Sequence, residues 1–231
     1  MRILLTGKNG QVGGELRGTL PALGEVIALG RDELDLASPD QIRQVVRSVR
    51  PDVIVNAAAY TAVDRAELEP ELAMVINGTA PGILAEEARR IGALLVHYST
   101  DYVFDGTKKV PYVEEDAPNP LNAYGHSKLA GENAIRASGV LHLIFRTSWV
   151  YAAHGNNFIR TVLSLAQREN QLRIVADQKG APTSATLIAD VTLQAIRAAS
   201  GKKDPCGLFH LTAGGETTWH ELACLVVDHV N

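Results

Sequence analysis

The sequence predicts an α/β fold, in which a Rossmann-like, doubly wound parallel sheet is followed by a smaller C-terminal substrate-binding lobe. Short segments that are apolar throughout alternate with longer stretches of helical periodicity over the first two thirds of the chain. A glycine-rich turn directly follows the first apolar segment and opens the first helical stretch. Strands and helices that alternate at this spacing favour right-handed crossovers between parallel strands.

Five segments are predicted to be strands covered on both faces, because they are uniformly apolar and too short for helices. They span residues 3–5, 26–29, 53–55, 94–96 and 141–145. Helices are predicted over residues 11–20, 38–50 and 67–92. Ser38 and Pro39 are typical of an N-cap and a first turn. The third helical region is expected to break near Gly78–Pro81, since proline cannot continue a helix interior.

The pattern loosens after Trp149, where helices are predicted over residues 158–168 and 187–199, a turn over 180–183 and a short strand over 209–211. We therefore predict an NAD(P)-binding Rossmann domain over residues 1–150 and a substrate-binding lobe over residues 151–231. An amphipathic pattern over residues 221–227 runs towards the end of the sequence without a C-cap signal. We expect this lobe to be incomplete at its C-terminus.

Composition excludes several classes of function for this chain of 231 residues. Lys and Arg number 22 against 26 Asp and Glu, with a net charge of −4 and no long run of either sign. That balance argues against nucleic-acid binding and against a basic membrane-binding arm. The two cysteines, Cys206 and Cys224, are too few for a disulfide framework and wrongly spaced for zinc. Neither a signal peptide nor a membrane span is predicted, so we expect a cytoplasmic protein.

The glycine-rich turn, residues 6–13, is the first candidate binding site. Gly7, Gly10 and Gly13 have a G-x-x-G-x-x-G spacing, slightly wider than the dinucleotide fingerprint. Glycines permit a tight turn and a close approach of the backbone to a pyrophosphate at a positive helix N-terminus. A plain strand-to-helix turn is the alternative, and the position after the first strand favours the dinucleotide.

The end of the second strand bears on the choice of cofactor. An acid there binds the ribose 2′-hydroxyl of NAD, whereas an arginine accommodates the 2′-phosphate of NADP. Here Gly30 occupies the position of the acid, and Arg31 follows it. We therefore expect NADPH. Asp32 keeps NADH open, and the alternative for Arg31 is a solvated loop charge.

Tyr124 and Lys128 are four residues apart at the start of a predicted helix, so their side chains share one face. A nearby ammonium lowers the pKa of a tyrosine and makes it a usable acid for a carbonyl oxygen. Thr100 closes the fourth strand, where it could hydrogen-bond the same carbonyl. A surface pair and a strand-end turn capped by Asp101 are the purely structural alternatives.

These features together resemble the extended short-chain dehydrogenase/reductase superfamily, and within it the reductases of a nucleotide-sugar C4 ketone. The matching motifs lie at residues 6–13, 56–64, 99–106, 124–132, 146–151, 155–158, 177–183 and 217–219. The resemblance covers essentially the whole chain. It implies NADPH-dependent reduction of dTDP-4-dehydro-L-rhamnose to dTDP-L-rhamnose, the last step of dTDP-rhamnose synthesis for bacterial surface polysaccharide.

The resemblance also implies roles for individual residues. It makes Thr100, Tyr124 and Lys128 the catalytic set, and Asp101 and Trp149 the contacts to the sugar. It assigns to the cofactor a further set: Gly10, Gln11 and Val12 at the pyrophosphate, Asp35 and Leu36 at the adenine, and Ala59, Tyr60, Thr61 and Tyr98 along the dinucleotide. A core tryptophan is the alternative for Trp149. Some members are Mg²⁺-bridged dimers, but only Glu15 matches a ligand, so no metal site is predicted and a homodimer stays open.

Two other functions are weighed against reduction. A nucleotide-sugar dehydratase or epimerase that recycles tightly held NAD usually carries an Asp-Glu pair after the strand-end threonine, whereas Asp101 is followed here by Tyr102. A catalytically idle, dinucleotide-binding regulatory subunit would have no need of the proton-donor pair. The intact Thr100, Tyr124 and Lys128 therefore favour the reductase.

Overall fold

The structure, a computed structural model, describes residues 1–200 and 207–229. Its centre is a six-stranded sheet in the order β2-β1-β3-β4-β5-β9, with every neighbouring pair parallel. The strands are β1 Arg2–Thr6, β2 Glu25–Leu29, β3 Val53–Asn56, β4 Leu94–Thr100, β5 His142–Thr147 and β9 Gly207–His210. The predicted doubly wound, Rossmann-like fold is confirmed.

Helices cover both faces of this sheet, as expected for strands that are apolar on both sides. The helices that flank it are α1 Gln11–Thr19, α2 Pro39–Val49, α5 Ala80–Ile91, α6 Ala123–Ser138 and α8 Ala185–Ala199. Alternate strand residues face opposite layers. Ile3 and Leu5 pack in one buried cluster with Leu16 of α1 and Ile188 of α8, and Leu4 packs in the other. This second cluster includes residues of α2, α5 and α6.

Helices α2 and α6 each begin with a side-chain cap, and the sequence predicts the first of these, Ser38. Ser38 accepts a hydrogen bond from the backbone N–H of Gln41 at the start of α2, where Pro39 occupies the first turn. Asn122 accepts one from the N–H of Gly125, at 2.7 Å, at the start of α6. This second cap fixes the first turn of the helix that carries Tyr124 and Lys128.

The predicted break near Gly78–Pro81 is wrong. Helix α4 (Pro70–Met74) continues through a π-helical turn, Val75–Thr79, into α5 without interruption. Pro81 lies in the first turn of α5, where a missing N–H is tolerated because the wider turn before it has already shifted the hydrogen-bond pattern. Single π-helical turns are frequent at functional sites. This one brings the side chain of Asn77 towards the site described below.

Residues after 150 contribute both to the central sheet and to a separate group of short elements. Strand β9 pairs with β5, and α8 packs against α1. The separate group contains β6 Val150–Tyr151 paired with β8 Thr183–Ser184, β7 Lys179–Gly180 paired with β10 Thr217–Thr218, and helices α7 Phe158–Ala166 and α9 Trp219–Asp228. The division at residue 150 stays a prediction. A short α3 (Val63–Ala66) precedes α4. In the described part of the chain no helix combines the length and apolarity needed to cross a membrane.

Glu132 of α6 and Arg146 of β5 form a buried bidentate ion pair, with nitrogen–oxygen distances of 2.9 and 2.7 Å. We expect Glu132→Gln to lower the free energy of unfolding by about 3 kcal/mol, because the guanidinium charge would remain buried beside a neutral amide. Denaturant titration of the purified variant measures the change.

Glu216→Gln is the control, since Glu216 pairs with Lys179 where both side chains are about two-thirds exposed. We expect no measurable change for it. A Glu132→Gln variant as stable as the wild type would contradict the prediction.

Candidate active site

The glycine-rich turn lies between the carboxyl end of β1 and the first turn of α1, with no room for side chains at two of its glycines. Gly7 has a φ of +73°, and a Cβ there would come within 2.7 Å of the Ala58 nitrogen. A Cβ on Gly13 would overlap the Gly7 carbonyl oxygen. Gly10 is the N-cap of α1, with no side-chain cap and no acid in the first turn. The open N–H groups of this helix end suit an anionic pyrophosphate.

The side chains of Gln11 and Val12, also predicted to bind cofactor, are engaged within the protein. Gln11 accepts a hydrogen bond from the Asn157 amide at 2.9 Å, and Val12 packs against the buried cluster beneath α1. Their backbone N–H groups, in the uncapped first turn, are the atoms that could meet a phosphate. Gln11 additionally ties this turn to the start of α7, where Asn157 is the N-cap.

The end of β2 carries a charge pair that the sequence interpretation missed. Glu33 accepts a hydrogen bond from the Gly30 N–H at 2.8 Å and pairs with Lys8 of the glycine-rich turn. The Gly30 N–H, and next Lys8, lower the pKa of the Glu33 carboxyl. Arg31 is exposed. An acid four residues beyond the strand end is the signal in the sequence that could have indicated this pair.

The two predicted adenine contacts, Asp35 and Leu36, lie in the loop that follows β2. The Asp35 carboxylate accepts from the N–H of Ala37 at 2.9 Å, and its own N–H donates to Gln41. The Leu36 side chain is buried in the cluster beneath α2. The structure therefore places both residues beside the β2 end, with Leu36 serving as a core residue.

Tyr60 lies in the loop after β3, between Ala59 and the exposed Thr61, and is clamped by Asn77. Its N–H donates to Asn77 Oδ1 at 2.8 Å, and Asn77 Nδ2 donates to the Tyr60 carbonyl at 2.9 Å. Asn77 also donates to Ser127 of α6, which lies between Tyr124 and Lys128. The loop predicted to line the dinucleotide is thus bonded to the helix that carries the predicted catalytic residues. Nothing in the local sequence distinguishes Asn77.

Thr100 and Tyr124 meet at the carboxyl end of β4. The Thr100 hydroxyl donates to Asp101 Oδ1 at 3.0 Å. Burial raises the pKa of Tyr124, and the nearby Thr100 hydroxyl opposes this only in part. The expectation that a nearby ammonium lowers this pKa is wrong for the structure, because burial dominates. Burial likewise raises the pKa of Asp101, to about 6.

Lys128 is 2% exposed and points from α6 to the edge of β4. Its Nζ donates to the Tyr98 carbonyl at 2.6 Å and lies 3.4 Å from His97 Nε2. Burial lowers the pKa of Lys128 to about 8, against an opposing effect of Glu132. The Tyr98 side chain, predicted to lie beside the dinucleotide, faces the opposite layer, where its hydroxyl is 2.7 Å from Thr192. Tyr98 therefore contributes its backbone carbonyl, and not its ring, to the surroundings of Lys128.

Trp149, the predicted sugar contact, follows β5 with a φ of +48°. Its ring stacks on Trp219 with a centroid separation of 3.5 Å and an interplanar angle of 10°. A Cβ on Gly180 would overlap the same indole. Trp219 thus covers one face of Trp149, and any sugar contact must use the remaining surface. Packing of a sugar ring on this side chain stays a prediction.

Glu15 is the residue that matched a metal ligand. It accepts a hydrogen bond from Thr186 at 3.2 Å and lies 3.6 Å from His154 Nδ1. Within residues 1–200 and 207–229, no group of three or more His, Cys, Asp or Glu side chains is arranged to hold a metal ion.

Comparison with known proteins identifies the family. A family model described as the RmlD substrate binding domain matches residues 1–231. The dTDP-4-dehydrorhamnose reductase of Salmonella typhimurium is 54% identical over 232 residues, which cover 99% of this chain and 78% of that protein. The chain belongs to the dTDP-4-dehydrorhamnose reductase family. The resemblance inferred from the sequence motifs is confirmed.

Solved structures from the same family have the same fold. A dTDP-4-dehydrorhamnose reductase from Clostridium acetobutylicum gives a TM-score of 0.94 at 39% identity and covers 100% of this chain and 80% of its own. One from Bacillus anthracis, in complex with NADP, gives 0.92 at 36% identity, with coverages of 100% and 81%. The described residues of this chain therefore have the fold of the family.

The close packing at Gly13 predicts that Gly13→Ala destabilises the protein by about 2 kcal/mol, because the methyl group must displace the Gly7 carbonyl. Gly18→Ala, on the exposed side of the same helix with nothing within 4 Å, is the control. It should stabilise by about 0.5–1 kcal/mol through helix propensity. Denaturant titration measures both changes, and equal effects of the two substitutions would refute the close packing.

The raised pKa of Asp101 predicts a stability cost at neutral pH. The carboxyl is protonated in the fold below about pH 6 but ionised in the unfolded chain above about pH 4, so stability falls as the pH rises between these values. Asp101→Asn should therefore stabilise the protein by about 2–3 kcal/mol at pH 7.5 and by nothing below about pH 4. Thermal unfolding followed across this range measures the gain.

Asp105→Asn is the matched control, because hydrogen bonds led by that from Asn119 lower the pKa of Asp105. This exchange should destabilise the protein at pH 7.5. The prediction fails if both variants change stability in the same direction.

Proposed function

We propose that the protein reduces the C4 ketone of dTDP-4-dehydro-L-rhamnose to dTDP-L-rhamnose, using a nicotinamide dinucleotide as the reductant. One observation carries the proposal: Tyr124 and Lys128 of α6 both reach the carboxyl end of β4, where Tyr124 interacts with Thr100 and Lys128 donates to the Tyr98 carbonyl. This is the same edge of the sheet at which β1 leads into the glycine-rich turn. Ligands of open α/β sheets bind at this edge. The substrate's identity rests on the family to which the chain belongs.

The residues present fit a dinucleotide. Gly7 and Gly13 leave no space for a Cβ, and the N-terminus of α1 is uncapped by any side chain. This turn would hold the pyrophosphate, and the loop over residues 59–61 would lie along the dinucleotide. Lys128 would hold the nicotinamide ribose. When bound, the reduced cofactor supplies the hydride that is added to the ketone carbon.

The protein's own contribution is the proton and its placement. The Thr100 hydroxyl, which donates to Asp101 in the structure, would turn to donate a hydrogen bond to the substrate carbonyl oxygen. Tyr124 would give that oxygen its proton as negative charge develops. Because burial raises its pKa, the Tyr124 phenol keeps its proton at neutral pH until the oxygen becomes more basic. The Lys128 ammonium would then stabilise the phenolate left behind.

We favour NADPH over NADH. Arg31 is exposed at the end of β2 and is available for a 2′-phosphate. Lys8 of the glycine-rich turn is a second cation at this strand end, where it pairs with Glu33. The family member from Bacillus anthracis is a complex with NADP. Glu33, which pairs with Lys8, is an acid that could instead accept from a 2′-hydroxyl, so NADH is the second candidate. Cytoplasmic location stays a prediction.

Tyr124→Phe tests the function. It should lower kcat by at least about 100-fold, since general-acid catalysis contributes about that much, while the NADPH dissociation constant stays within about twofold. Turnover is followed as NADPH oxidation with dTDP-4-dehydrorhamnose, and binding as cofactor fluorescence. Tyr102→Phe is the control, because its ring lies edge-on to Tyr124 with centroids 5.5 Å apart while Tyr102 is 41% exposed.

The wild-type assay has two further arms, in which NADH replaces NADPH and the UDP sugar replaces the dTDP sugar. A larger specificity constant for NADPH and for the dTDP sugar is expected. Near-normal turnover of Tyr124→Phe would show that Tyr124 is not the proton donor. A wild-type protein that binds NADPH but oxidises it with neither sugar would overturn the proposed reaction.

A further inference from the structure

A row of buried polar side chains crosses three adjacent strands beneath α6. Thr6, Asn56 and His97 are register partners on β1, β3 and β4, and each is at most 2% exposed. Thr6 Oγ1 lies 2.7 Å from the Asn56 amide oxygen, and the other end of that amide lies 3.1 Å from His97 Nδ1. The reaction proposed above makes no use of any of the three.

The row ends at the Lys128 ammonium. His97 Nε2 is 3.4 Å from Nζ, and the Tyr98 carbonyl is the other hydrogen-bond partner that the described structure gives this nitrogen. Glu132, one turn further along α6, directs both carboxylate oxygens to Arg146 of β5. Tyr124 on α6, together with Asp101 and Tyr102, which both act on its pKa, adds further titratable groups on this side of the site. Lys128 is thus a buried cation whose near partners are a carbonyl and an imidazole.

The chemistry of an ammonium fixes the state of His97. An ammonium has only donors, so Nε2 must present a lone pair, and the imidazole proton must lie on Nδ1. A rotation of the Asn56 side-chain amide by 180° exchanges its oxygen and nitrogen and brings the oxygen next to His97 Nδ1. Nδ1–H then donates to this oxygen. The amide nitrogen in turn faces the Thr6 hydroxyl. Thr6 Oγ1 then accepts from that nitrogen as well as from the Ala58 N–H at 3.4 Å, and the Thr6 hydroxyl no longer donates to the Asn56 oxygen.

We propose that His97 is a positioning residue, whose neutral imidazole accepts a hydrogen bond from the Lys128 ammonium and holds it, charged and directed, beside Tyr124. Two of the three N–H bonds of the ammonium are then used by β4, which leaves the third for the cofactor ribose. The inference deepens the proposed function and rests on it for that last contact.

The electrostatics of the cluster support this arrangement. Burial, and next the charge of Lys128, lower the pKa of His97 well below its ordinary value, so the imidazole is neutral at physiological pH. Burial also lowers the pKa of Lys128 to about 8. This value is close enough to neutral pH that one hydrogen bond decides whether the amine is charged. Removing an acceptor from a buried ammonium disfavours its charged form.

Two substitutions of His97 separate its two hydrogen bonds. Gln carries an amide oxygen near the position of Nε2 and keeps an acceptor for Lys128, whereas Asn reaches only to the position of Nδ1 and keeps the bond to Asn56. The ionisation of Lys128 is followed by NMR of ¹³C-lysine-labelled apoprotein, with the signal assigned by its loss in Lys128→Arg. The NADPH dissociation constant is measured across the same pH range.

We expect His97→Asn to lower the pKa of Lys128 by about one unit, a tenfold change in its ionisation constant, and to weaken NADPH binding between pH 7 and 9. His97→Gln should stay close to the wild type in both. Asn56→Asp, which leaves His97 in place and makes its Nε2 more basic, should raise the pKa of Lys128. Thermal unfolding of each variant reports its fold.

Equal lysine titrations in His97→Asn and His97→Gln, or an unchanged titration in Asn56→Asp, would overturn the proposal, and the last variant decides if neither His97 variant folds. Since the lysine titration needs no cofactor or substrate, it is independent of the proposed reaction. If the wild-type protein shows no turnover but the lysine titrations are as expected, the proposed reaction is contradicted and the proposed role of His97 is supported.

Discussion

The structure depends on keeping one buried cation, the Lys128 ammonium, at the carboxyl edge of a parallel sheet. A charge removed from water is costly unless polar atoms replace its hydration. The Tyr98 carbonyl and the His97 imidazole supply those atoms from β4. Neither carries a formal charge, so the ammonium is held near the point of deprotonation rather than neutralised by a carboxylate. That condition suits a residue that stabilises a phenolate and binds ribose hydroxyls.

The same constraint explains how charge is distributed around α6. Glu132 lies one turn beyond Lys128 but is fully engaged with Arg146. A free carboxylate at that position would pair with the lysine and draw it from the site. Because Glu132 forms its ion pair with Arg146 of β5, its carboxylate does not pair with the Lys128 ammonium. Glu132 raises the pKa of Lys128 through space without contacting it.

The parallel sheet brings these groups together because residues in register on neighbouring strands share a face. Thr6, Asn56 and His97 form one row across β1, β3 and β4 for this reason, while Tyr98, the next residue, turns its ring to the other layer. Thr6 is also the first residue of the glycine-rich turn, so this turn and the row of polar side chains meet at the carboxyl end of β1. Asn77 then fastens the loop after β3 to α6. The site is therefore a product of strand register and of the helix that crosses it.

The sequence by itself determined the local features. Several predicted features depend on residues only a few positions apart. They are the apolar strands, the N-cap of Ser38, the turn at Gly7 to Gly13 and the shared face of Tyr124 and Lys128. Its motifs also identified the family. The sequence misjudged the π-helical turn before Pro81 and the direction in which the pKa of Tyr124 shifts, and it did not single out Asn77 or Glu33.

Only the tertiary structure decided which groups face the buried lysine. His97 is 31 residues from Lys128 in the chain, and Asn56 is 41 from His97, so no local pattern links them. Their contact follows from strand order and register, which also bring β9 back beside β5 after the short elements. Burial, and with it every pKa in the site, is a property of the packed molecule. The periodicity of the chain specifies the scaffold, and the long-range packing of that scaffold specifies the chemistry.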